Sequence, residues 1–119
     1  MRRCSGVLRR EVASRDINKA RAATLRKELD RERINLIAVD IETGMTFLRI
    51  ATTELSLGNL ERTTALVEKA RNAYTAMAKF LVDVAEPEEQ ERLREKHQAL
   101  DAAIREVERR KRRHEDETT

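Results

Sequence analysis

Apolar positions recur at helical spacing along most of this chain. Ile34, Ile37, Ile41, Leu48, Ala51 and Leu55 follow steps of three and four, with Gly44 filling the step between Ile41 and Leu48. Because that phase carries through Gly44, the pattern predicts one long helix over about 18–57 rather than two helices broken at Thr43-Gly44. Upstream, Ala22, Leu25 and Leu29 form a thinner stripe, and the step of five from Leu29 to Ile34 breaks its register. Residues 1–16 show no sustained periodicity and are expected to form a basic, flexible arm.

The clearest turn signal is Leu55-Ser56-Leu57-Gly58-Asn59-Leu60-Glu61. Glycine and asparagine most readily take the left-handed conformation that ends a helix, and Glu61 suits the first turn of the next. A second helix is predicted over about 60–84, where Thr63, Leu66, Val67, Ala70, Ala73, Tyr74, Met77, Phe80, Leu81 and Val84 cover a broad arc. So wide a face predicts contact with two neighbours. Ala85-Glu86-Pro87-Glu88-Glu89 then stops that helix and starts a third, over about 87–113, since proline is tolerated at the first helical position and acids there complement the helix dipole. Its stripe of Leu93, His97, Leu100, Ile104 and Val107 is narrow and spaced like a coiled-coil seam. Glu88–Arg92, Glu106–Arg110 and Glu108–Arg112 are its expected surface pairs, acid before base at i,i+4.

Composition agrees with helix throughout. Three glycines, one proline and no tryptophan in 119 residues leave little for sheet faces or hairpin turns. The fold class is therefore all-α, an antiparallel helical hairpin plus a third helix, in a single domain over 17–114 followed by an acidic tail at 115–119. Charge nearly cancels, to a net +3, but it is unevenly placed: residues 1–15 hold five arginines against one glutamate. Cys4 is the lone cysteine, so no intramolecular disulfide framework exists and a reducing cytoplasm is the expected setting. Val7-Leu8 is followed at once by Arg9-Arg10, which leaves no apolar core for a secretory leader, and no apolar run is long enough to span a bilayer.

Little in the chain points to catalysis. His97 and His114 are the only histidines, and neither has metal-ligand spacing to a partner on a helix face. His97 lies in an apolar stripe, where it is read as an interhelical hydrogen-bonding residue in preference to a proton-transfer group, which would need an orienting partner and a cleft; His114, in a charged tail, is read as solvated. Glu28 and Glu32 share one face, yet the Glu-x-x-His motif that completes di-metal helical sites is missing. No glycine-rich phosphate loop or nucleophile elbow occurs. No enzyme activity, cofactor or metal is expected.

The segment from Phe47-Leu48-Arg49-Ile50-Ala51 through Gly58-Asn59-Leu60-Glu61 to Glu68-Lys69-Ala70-Arg71, within residues 47–80, resembles one unit of the tetratricopeptide-repeat family. Ala51, Gly58 and Ala70 fall where that family has a small residue, a turn glycine and a small residue. Thr63 stands where alanine is usual and Thr75 where the closing proline belongs, and no second copy lies one period away. Other helical hairpins, including those of the microtubule-interacting-and-transport modules, share the pattern. At most the resemblance implies a peptide-binding groove, and a single unit does not build a concave repeat array.

These observations predict a non-catalytic helical module for protein–protein interaction or self-association, with a homodimer as the expected assembly. Its partner-binding residues are expected to be Leu25, Leu29, Leu93, His97, Leu100, Ile104 and Val107. The alternative is non-specific binding of nucleic acid or an anionic surface through Arg2, Arg3, Arg9 and Arg10 at one end and Arg109, Arg110, Lys111, Arg112 and Arg113 at the other. No aromatic residue is interleaved with either cluster to stack on bases.

Overall fold

In the computed structural model, which describes residues 2–118 and the side chains of 14–117, three helices form: α1 (Arg2–Ser56), α2 (Leu60–Leu81) and α3 (Pro87–Thr118). Among the described residues there is no strand, as the all-α reading requires. By its contacts the chain divides after Glu32 into two compact units. The first consists of α1 up to Glu32, and the second comprises the rest of α1 with α2 and α3.

Within the second unit the three helices run up, down and up. Glu54 near the end of α1 pairs with Arg62 near the start of α2, and Tyr74 of α2 meets His97 of α3. The last turns of α1 and α3 share a groove lined by Thr52, Leu55, Ser56, Arg110, Arg113, His114 and Glu117. One core joins all three helices, built on Ile37, Ile41, Leu48 and Ala51 of α1, Leu66, Val67, Ala70 and Met77 of α2, and Leu93, Leu100, Ile104 and Val107 of α3. Both neighbours expected from the wide face of α2 are thus present.

Gly44 is a packing position. The helix continues through it, and a Cβ there would lie 3.1 Å from Cδ2 and 3.2 Å from Cδ1 of Leu100, and 3.7 Å from the Ala73 Cβ. Gly58, in contrast, acts through its backbone: its φ of 78° ends α1. The Asn59 N–H reaches back to the Glu54 carbonyl at 2.9 Å and the Gly58 N–H to Leu55 at 3.0 Å, the paired bonds of a Schellman cap. Asn59 then caps α2, its Oδ1 accepting from the Arg62 N–H at 3.2 Å. Thr63, fully buried, donates its hydroxyl to the Asn59 carbonyl at 2.8 Å.

Helix limits differ from the sequence expectation in three places. α1 begins at Arg2 rather than near Asn18, because arginine, glutamate and alanine favour helix without an apolar period. α2 ends at Leu81 rather than Val84: the Asp83 and Val84 N–H groups reach back only three residues, to Phe80 and Leu81, which tightens and closes the helix. Val84 remains buried. α3 runs on to Thr118 rather than stopping near Arg113, with Lys111 paired to Glu115 one turn later at 3.5 Å. The connection before α3 is pinned by two side chains. Gln90 donates its amide to the Leu81 and Val84 carbonyls at 3.2 and 3.3 Å, and Arg33 donates to the Asp83 carbonyl at 2.9 Å.

Candidate functional site

The seven residues expected to bind a partner separate into two groups. Leu93, Leu100 and Ile104 are fully buried, and Val107 and His97 nearly so, in the chain's own three-helix core. The expectation that this α3 seam faces a partner is therefore corrected: a narrow stripe needs one covering surface, and α1 and α2 supply it within the same chain. Leu25 and Leu29 stand on the other side of the division, each 57% exposed in the first unit.

His97 is positioned for structure. Its Nε2–H donates to the Tyr74 carbonyl at 2.7 Å, and its ring lies against the Tyr74 ring with centroids 3.9 Å apart. Since a carbonyl can only accept, this bond fixes which ring nitrogen carries the proton. The interhelical hydrogen bond read from the apolar stripe is present.

In sequence the five-residue step from Leu29 to Ile34 breaks the three-and-four spacing at the division between the two units. Ile37 and Ile41 point into the core of the second unit, while Leu36 and Val39, which the sequence reading passed over, are 46% and 61% exposed. In sequence, Leu36 and Val39 of the second unit are three residues apart, as Leu25 and Leu29 of the first are four apart, the spacings of a helical stripe. That spacing was the available signal, hidden because the same stretch also carries the core stripe. In the first unit, Ile17 is a further exposed apolar residue, and with Ala20, Thr24 and Leu25 it lines a shallow, mostly apolar ledge flanked by Arg21 and Glu28.

The C-terminal cations are engaged by neighbours. Arg109 holds Glu106 with two bonds, at 2.8 and 3.1 Å, and Arg110 holds the same carboxylate at 3.1 Å. Hydrogen bonds from Arg109 and then Arg110 hold the Glu106 carboxyl below the ordinary carboxylate range, and Glu106, accepting from Arg109, raises that guanidinium in turn. Glu106–Arg110 is one of the three pairs expected on this surface. The other two are replaced: Arg92 pairs with Glu89, and Glu108 with Arg71 of α2. Arg110 and Arg113 also line the groove beside the last turn of α1, which has no basic residue of its own. There they complement the negative end of the α1 dipole. His114, read as solvated, is partly buried in that groove. The side chains of Arg2, Arg3, Cys4, Arg9 and Arg10 lie outside the described residues.

Among the described residues no group of histidine, cysteine, aspartate and glutamate side chains could hold a metal ion, and no helix is long and apolar enough to cross a membrane. No protein family, no curated protein and no solved structure was found to match the chain.

Proposed function

We propose that this protein is a non-catalytic helical module that self-associates through the exposed stripe of α1 centred on Leu25 and Leu29. One observation carries the reading: two large apolar side chains four residues apart, both more than half exposed, on a helix whose neighbouring positions are polar. Apolar side chains at this spacing gain from burial against another helix. The arginine reading has less support, because Arg109 and Arg110 already hold Glu106.

Sedimentation equilibrium under reducing conditions tests it. The protein is expected to self-associate at micromolar concentration, and Leu29→Glu to sediment as a monomer with an unchanged thermal melt. A wild-type protein that stays monomeric throughout that range overturns the reading. So does tight binding to duplex DNA that weakens by orders of magnitude between about 50 and 200 mM salt, the signature of counterion release.

A further inference from the structure

We infer that the first unit pairs with the same segment of a second copy in antiparallel orientation, with Arg15 of one chain opposite Glu32 of the other. This rests on the self-association reading and adds its geometry. With Leu25 at heptad position d and Leu29 at a, Arg15 and Ala22 also fall at a, and Asn18 and Glu32 at d. All six lie on α1 within the first unit, and all but the partly buried Ala22 are exposed.

Direction follows from charge at these inner positions. In a parallel, in-register pair, a meets a and d meets d, so Arg15 faces Arg15 of the second copy and Glu32 faces Glu32. Both contacts are between like charges at the positions closest to the partner. Turning one helix over makes a meet d. Arg15 then opposes Glu32 twice, Leu25 opposes Ala22 twice, and Leu29 opposes Asn18 twice. The flanking positions discriminate less: parallel pairing sets Arg21 against Arg26 but Glu28 against Arg33, while antiparallel pairing sets Arg21 against Glu28 but Lys19 against Arg26. One attraction and one repulsion arise either way, so the inner charges decide. Sliding the antiparallel pair by one heptad, to bring Leu25 opposite Leu29, sets Glu28 against Glu28 and Arg26 against Arg26 and removes the carboxylate from Arg15. Charge complementarity therefore selects the register as well as the direction.

Charge exchange tests this by sedimentation equilibrium at low salt under reducing conditions. Arg15→Glu and Glu32→Arg, each alone, are expected to raise the dissociation constant about tenfold or more, and the double exchange to return it to within about threefold of wild type. In a parallel pair each single exchange swaps one like-charge contact for another and leaves the constant unchanged. If both single variants associate like wild type while Leu29→Glu abolishes association, the stripe still mediates pairing and the antiparallel arrangement is overturned. If wild type itself fails to associate, both this inference and the reading beneath it fall. Circular dichroism of each variant verifies that these exposed exchanges leave the helices intact.

Discussion

Replacing Gly44 and Leu100 singly and together tests the packing of α1 against α3. A methyl group at Gly44 would meet Cδ2 and Cδ1 of Leu100 at 3.1 and 3.2 Å, closer than carbon atoms comfortably approach. Gly44→Ala gains about 1 kcal/mol of helix propensity and loses about 1–3 kcal/mol to overpacking. The net effect should run from neutral to about 2 kcal/mol destabilising. Leu100→Ala empties a site with no solvent exposure and should cost about 3–5 kcal/mol. In the double variant the added methyl group no longer collides and fills part of the space vacated, so its effect reverses sign. The pair should be more stable than the sum of the single effects by about 1–3 kcal/mol, within the range found for residues in contact. Urea denaturation followed by circular dichroism, with both midpoint and slope determined for all four proteins, measures that difference. Coupling below about 0.5 kcal/mol, the level of independent sites, would refute the close approach of Gly44 to Leu100.

Two further outcomes follow from the connections. Gly58→Ala puts a side chain on a residue with φ of 78° and should destabilise by about 1–2 kcal/mol even though nothing lies within 4 Å of the new atom, as read from the same denaturation curves. Gln90→Ala removes the amide that serves the Leu81 and Val84 carbonyls and should cost about 1–2 kcal/mol; hydrogen exchange should quicken first at the end of α2. An unchanged melt in either variant contradicts these two connections.

What the sequence discloses depends on whether the determinant is local. Gly58-Asn59 and Pro87 act on their own backbone, so both turns are legible. The stripe from Leu93 to Val107 is equally legible as a stripe, but its spacing is the same whether the covering helix belongs to its own chain or another. The decision lies in the short α2–α3 connection pinned by Gln90 and Arg33, which folds α3 back onto the bundle. Glu108 has a suitable arginine four residues on yet pairs with Arg71, and a partner that distant in sequence carries no local signal. Leu36 and Val39 were obscured because Ile37 and Ile41 beside them satisfy a core period, and one stretch of helix serves two faces.

Stacking of Tyr74 on His97 has an optical consequence. The chain has one tyrosine and no tryptophan, so its near-ultraviolet emission arises chiefly from a single ring. That ring is stacked within 9° of parallel on the imidazole, on the surface where α2 meets α3. The chromophore thus reports the integrity of the bundle without any label. Leu25 and Leu29 have no such ring beside them in sequence, so contact made through the first unit is spectroscopically silent. A solution in which the mass changes while the tyrosine signal does not distinguishes assembly from unfolding in one sample.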